Sequence, residues 1–289
     1  MMNFVLLFGV FWVVIFIHEL GHALAYRRMG VPIKMLAVGW PPKTRFACLE
    51  IRSAMLRRFF GPEFVFVLSP LIFIGTVDID ATKEEVLSDD KRALIYGAGV
   101  IANILLWMLL MSCVAIAAIT SGNAEGVRVH LILIDLEKCD PWFMLVALSV
   151  VAALLLYYAR FICQWIFPII GIMMFAFVCQ RLTVVLGDIP LFLSGGFTVM
   201  ATDIGRAAET GRFFFLMATW SLAIGLINLL PLFLLDGGHI GLLHLRRWTS
   251  GRVLSKIEGF YRRLGTRLVY LLLLLSIAPD VYRVYHIFT

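Results

Sequence analysis

His18-Glu19-Leu20-Gly21-His22 places two imidazoles four residues apart with a carboxylate between them. On a helix, positions i and i+4 differ by about 40° around the axis, so both rings can reach one metal ion. The glutamate lies near the same point and can take a proton from a metal-activated water, which is the physical sense of this spacing in zinc hydrolases. The pentapeptide falls within an apolar run at roughly 3–25. Three ionisable groups inside a membrane helix are costly unless something uses them, so metal binding outweighs a buried structural cluster.

A catalytic zinc takes three protein ligands and keeps one position open. The candidate third ligand is Asp236, in Asn228-Leu-Leu-Pro231-Leu-Phe-Leu-Leu-Asp236-Gly237-Gly238-His239. An acid at the end of an apolar run is ordinarily a solvated helix terminus. Here Asn228, Pro231 and the Gly-Gly pair predict a locally broken helix that turns the carboxylate inward. His239 and His244 are rival ligands.

The elements that must position these residues are membrane helices. Of 289 residues 61% are hydrophobic and only 15% charged, against about 45–50% and about 25% in soluble domains. The mean hydropathy of +0.93 points the same way. Long unbroken apolar runs exclude an outer-membrane barrel and indicate an all-α polytopic membrane protein. Net charge is +6, but the basic residues cluster in particular loops, which suits membrane orientation and not nucleic-acid binding. Five scattered cysteines without a C-x-x-C pair exclude a disulfide framework and an all-cysteine zinc site. Ala23-Leu24-Ala25 imitates a signal-peptide cleavage site. With no Lys or Arg before Arg27, and with His18, Glu19 and His22 inside the run, the segment reads as a retained first transmembrane helix.

Apolar runs predict helices at roughly 3–25, 92–119, 142–159, 161–180, 213–235 and 268–287, about six crossings in all. The middle two read as a tight hairpin around Arg160, or as tilted or re-entrant helices. Arg27, Arg28, Lys34, Lys43, Arg45, Arg52, Arg57 and Arg58 follow the first helix. Arg246, Arg247, Arg252, Lys256, Arg262, Arg263 and Arg267 precede the last. Both segments should therefore be cytoplasmic, with the two termini outside. Glu63–Val77, β-branched and aromatic and broken by Pro70 and Gly75, predicts a small membrane-associated β-hairpin or loop between helices 1 and 2. Its edge needs shielding by protein or a wet cavity.

His-Glu-Leu-Gly-His on the first helix, then Tyr26-Arg-Arg-Met-Gly-Val, then Asn-x-x-Pro-x-x-x-x-Asp-Gly-Gly-His resembles the site-2 protease family of intramembrane metalloproteases. The likeness is to its bacterial branch, which cleaves anti-sigma factors and signal-peptide remnants. It covers about 1–110 and 185–289. It implies that His18, His22 and Asp236 bind Zn2+ and that Glu19 is the base. It implies that 63–77 is the family's β-loop, with Phe64, Val65, Phe66, Val67 and Leu68 forming the edge that pairs with an unwound substrate. It implies that Asn103, in Gly99-Val-Ile-Ala-Asn103, and Asn228 face the cleft and hold substrate or oxyanion. Membrane asparagines also serve as interhelical hydrogen bonders.

The chain departs from the family pattern in three places. Val100 and Phe233 stand where prolines are usual. No soluble PDZ domain lies between the second and third family helices, where 142–180 forms an apolar insertion instead. Segment 188–211, with Leu193-Ser-Gly-Gly and Thr202-Asp-Ile-Gly-Arg, still resembles the family's outer segment. The resemblance implies one protease domain over 1–289 in a bacterial inner membrane, active site toward the cytoplasm, cutting transmembrane-helix proteins. The rival reading is a non-catalytic metal-binding protein or transporter using the same ligands. Transport does not require a base at Glu19.

Overall fold

The structure is a computed structural model that describes residues 2–40, 49–69, 71–121, 127–131, 134–187, 197–209, 212–249 and 251–288. The contacts fall into two compact units. One holds Phe8–Gln164 with Phe214–Gly225, and the other holds Met1–Leu7, Trp165–Phe213 and Leu226–Thr289.

In the first unit, helix α1 (Met2–Arg28) leads into strand β1 (Ile33–Trp40), which is followed by β2 (Leu49–Ile51), α2 (Ala54–Phe60), β3 (Val65–Leu68) and β4 (Leu71–Ile79). A short α3 (Ala81–Glu85) then precedes the long α4 (Asp89–Thr120). Asp80 caps α3, and the Thr82 hydroxyl and amide that donate to it hold its carboxyl below the usual range. α1 and α4 cross where side chains are smallest. A β-carbon on Gly21 would stand 2.7 Å from that of Ala102 and against the Ala98 carbonyl. Small residues let membrane helices approach this closely. Above the crossing, Tyr26 and Tyr96 both donate to one carboxylate oxygen of Glu84, at 3.2 and 2.7 Å.

The strands form one sheet in the order β2-β3-β1-β4, with β3 parallel to β1 and the other pairs antiparallel. The hairpin expected over 63–77 is therefore not formed. β3 and β4 follow one another in sequence, but β1 lies between them. Residues 33–40 follow the basic end of α1 and lie in a segment whose basic residues read as a loop, which hid this central strand. A parallel pair also needs a crossover, supplied by the chain between β1 and β3. Leu36, Val38, Phe64 and Phe66 face α1, where Phe66 meets Phe16 edge to face at 5.6 Å. Met35, Ala37 and Val67 fill the opposite face.

After α4, β5 (Val127–Leu131) pairs with β6 (Ile134–Cys139) in a two-stranded antiparallel ribbon. α5 (Pro141–Tyr157) follows, capped by Asp140 accepting from the Phe143 amide. Met144 joins Leu110, Met111, Ala115 and Ala218 in a buried cluster, while Trp142, Phe143, Val146 and Val150 stay exposed, as a lipid-facing side would. Around Arg160 there is no tight hairpin. Tyr158 alone interrupts the helix, with φ −93° and ψ 13°, and its carbonyl accepts from Ile162. Reversing a helix takes a loop of about 2–5 residues. The path continues through α6 (Ala159–Phe161) and a π-turn at Ile162–Ile166.

The second unit contains α7 (Phe167–Gly187), α8 (Phe197–Glu209), the end of α9 (Phe213–Asn228), α10 (Asp236–Trp248) and α11 (Gly251–Phe288). The sequence reading extends one helix over 213–235, yet it also expects a break there, and the break is present. Helix α9 stops at Asn228, and Leu229–Leu235 passes through turns closed by Leu230→Ile227, Leu232→Leu230 and Leu235→Leu232 backbone bonds. Leu193–Gly196, in the segment likened to the family's outer one, lies outside the described residues.

Among the described residues, Met2–Arg28, Asp89–Thr120 and Ala159–Gln180 are long and apolar enough to cross a membrane, and Pro141–Tyr157 and Phe213–Asn228 are shorter apolar helices. The molecule is a mostly helical integral membrane protein with a small sheet.

Candidate metal centre

His18, Glu19 and His22 are 5%, 7% and 7% exposed, which puts all three inside the first unit. The two Nε2 atoms stand 3.2 Å apart. Two nitrogens each about 2.0–2.1 Å from a tetrahedral zinc are separated by about 3.3–3.4 Å, so the rings are already spaced for one ion. His22 Nδ1 donates to the Ile95 carbonyl at 2.8 Å. A carbonyl only accepts, so the proton is on Nδ1 and the Nε2 lone pair is left for a metal. Gly99, one helical turn beyond Ile95, supplies the room. A β-carbon there would stand 2.6 Å from His18 Nε2 and closer still to that of His22. The donor set and this cradle fit a metal ion.

The carboxylate arm of Glu19 lies against Gly75 of β4, where a β-carbon would overlap Cγ, Cδ and Oε1. The strand edge thus runs directly beside the candidate base. A glycine within a strand is a mark of such close approach, and in the sequence Gly75 stood out only as an interruption. The Ile95 carbonyl had no sequence signal.

Asn103 is fully buried beside His18. Its Nδ2 is 3.2 Å from His18 Nδ1, and its backbone oxygen accepts from Ser221 at 2.9 Å. The expected pairing edge at Phe64–Leu68 is flanked on both sides. Val65–Leu68 pairs with Met35–Val38, and Phe66–Leu68 also pairs with Leu49–Ile51. On the Glu19 side the outer strand is β4.

In the second unit Asp236 is the first residue of α10, where a helix N-terminus favours a carboxylate. Gly237 and Gly238 let the turn close on itself, since β-carbons there would overlap the carbonyls of Leu229 and Leu232. Asn228, half-buried, ends α9. Of the rival ligands, His239 packs on Phe233 at 5.5 Å and His244 on Trp165 at 5.7 Å.

Buried histidines four apart with a glutamate between them, on an apolar helix, define the helical membrane proteins built around a His-Glu-x-x-His centre. The chain belongs to Peptidase family M50, whose model matches residues 6–275. It is 33% identical to Protease RseP of Photorhabdus luminescens over 112 residues, 36% of this chain and 50% of that protein. It is 35% identical to the Regulator of sigma-E protease RseP of Escherichia coli K12 over 99 residues, 34% of this chain and 22% of that protein. The chain thus spans half or less of the length of these curated relatives.

Proposed function

We propose that the protein is a zinc-dependent intramembrane endopeptidase that hydrolyses peptide bonds within or near transmembrane helices of other membrane proteins or signal-peptide remnants. The observation that carries the reading is the pre-spaced His18–His22 pair with Glu19 held against a strand edge. His18, His22 and Asp236 would hold the ion. Bound zinc supplies Lewis acidity toward a carbonyl and acidifies water near neutral pH.

The residues of the chain do the rest. Glu19 takes a proton from the attacking water and returns it to the leaving amide nitrogen. An unwound substrate segment pairs with the β4 edge in place of the expected Phe64–Leu68 edge, and main-chain bonds replace the helical ones it loses. Gly75 brings that edge beside Glu19. Asn103 and Asn228 remain candidate substrate contacts.

A cytoplasm-facing active site in a bacterial inner membrane and an insertion over 142–180 in place of soluble selector domains complete the proposal. Three long apolar helices, two shorter ones and the placement of basic loops support it. Glu19 between the ligands favours hydrolysis over transport.

The test is zinc content together with cleavage of a tagged model membrane helix in detergent, for wild type, Glu19→Gln and Asp236→Ala. Near-stoichiometric zinc is expected in wild type, with cleavage lost in both variants and metal weakened only in Asp236→Ala. Cleavage by Glu19→Gln would overturn the mechanism.

A further inference from the structure

We propose that α2 seats the phosphate of one acidic phospholipid on Arg57 and Arg58, with Met55 and Phe59 lying among the first acyl carbons of that lipid. The site is separate from the metal centre and does not depend on the chemistry proposed for it.

The depth of α2 follows from α1. The apolar span of α1 ends at Arg27 and Arg28, and basic residues at the end of a membrane helix lie at the level of the lipid headgroups. The Arg27 guanidinium stacks 3.4 Å over the centre of the Phe59 ring, so α2 lies at that level too. Within α2, Met55, Arg58 and Phe59 stand at i, i+3 and i+4 and share one face. All three are exposed, Met55 at 81%. A basic side chain between apolar ones on an exposed helix face suits an element lying in the membrane interface.

Beside this face is an open cavity of about 630 Å³, lined by Arg52, Arg57, Arg58 and Gly61. Arg52 is engaged by Glu50 at 2.9 Å. Arg57 and Arg58 make no ion pair among the described residues, and the exposed Glu63 bonds to neither. Arg57 Nε is buried and has no hydrogen-bond acceptor among the described residues. A buried donor left unpaired is costly, and two guanidinium groups match the oxygens of a phosphate. Free phosphate would serve the arginines but leave Met55 and Phe59 in water. An acidic phospholipid takes both parts of the surface. Because α2 joins β2 to β3, a lipid held there ties the β2 end of the sheet to the membrane surface.

Binding of phosphatidylglycerol to the full-length protein in a neutral detergent, followed by native mass spectrometry against phosphatidylcholine of the same chain length, tests the site. Wild type should take one phosphatidylglycerol ahead of any phosphatidylcholine. Arg58→Gln should weaken that lipid about 5-fold, and Arg57→Gln with Arg58→Gln about 30-fold, the usual effect of each basic residue at an anionic membrane surface. Lys83→Gln with Lys91→Gln removes the same charge from exposed positions elsewhere and should leave the lipid bound as in wild type. Met55→Ser should weaken the lipid while both arginines stay in place. Wild-type lipid binding in the double arginine variant, or equal weakening in the double lysine one, would overturn the proposal. Displacement of the lipid by inorganic phosphate at equal concentration would assign the arginines to a free anion, and displacement by a glutamate-rich peptide would assign them to an acidic protein segment. Either result also overturns it. Thermal unfolding in lipid-free detergent checks that each variant is folded, and Arg58→Gln, which alters only an exposed side chain, keeps the test open if the Arg57 change does not fold.

Discussion

Glu19 and Gly75 are in direct contact, with the carboxylate arm of the glutamate occupying the place where a β-carbon on Gly75 would stand. The contact fixes the candidate base and the sheet edge relative to one another inside one unit. Gly75→Ala should push Glu19 aside while leaving His18 and His22 untouched. Zinc content should stay at the wild-type level. Cleavage should fall by up to about 100-fold, the order of loss from small misplacements of a reacting group. Parallel zinc and cleavage assays check this, and undiminished cleavage would remove the strand edge from the mechanism.

Gly99 makes the complementary case. Its missing side chain is filled by the two imidazoles, so Gly99→Ala must displace at least one ring. Here the metal should go first. Zinc affinity should drop by about 10–100-fold, and cleavage with it. The pair of glycine variants thus separates base from ligands by a measurement of metal alone.

Much of the centre was legible in the sequence because helical spacing fixes it. His18, Glu19 and His22 needed only a period of 3.6 residues and an apolar surround to be read. The break at Leu229–Leu235 was legible from Pro231 and the glycines after it. The sheet was not, because β1 falls where basic residues suggested a loop, and strand order depends on pairing partners distant in sequence. That is why the edge was assigned to Phe64–Leu68 when β3 has neighbours on both sides. Asn103 was singled out correctly as a polar group in a membrane helix, but which neighbour it serves depends on how α1 crosses α4. Of the two readings offered around Arg160, the tight hairpin is not formed, because a single charged residue between apolar runs does not stop a helix. Tyr158 bends the path and the backbone bonds carry on.

The crossing itself can be tested at Gly21. Its α-hydrogen faces Ala98 and Ala102, with no space for a side chain. Gly21→Val should force α1 and α4 apart, at a cost of about 1–3 kcal/mol from overpacking. A lower thermal midpoint in detergent is expected, with zinc lost on heating before the wild type loses it. An unchanged midpoint would show that the two helices slide without penalty.

Tyr261 ties the broken segment to α11. Its hydroxyl donates to the Pro231 carbonyl at 2.5 Å, and Phe233 packs between its ring and Gly265. Burial pushes the phenol up to about 12, so it stays a proton donor throughout the working range of pH. The carbonyls of a non-helical segment need such partners, because they lack the helical ones. Tyr261→Phe keeps the ring and deletes only the donor, which should cost about 1 kcal/mol. The larger effect should be kinetic. A looser Leu229–Leu235 segment holds Asp236 less firmly, so zinc should leave faster into a chelator while Glu19-dependent chemistry in the loaded protein is unchanged. Equal zinc release rates in Tyr261→Phe and wild type would mean that the turns from Leu230 to Leu235 hold the segment by their own backbone bonds.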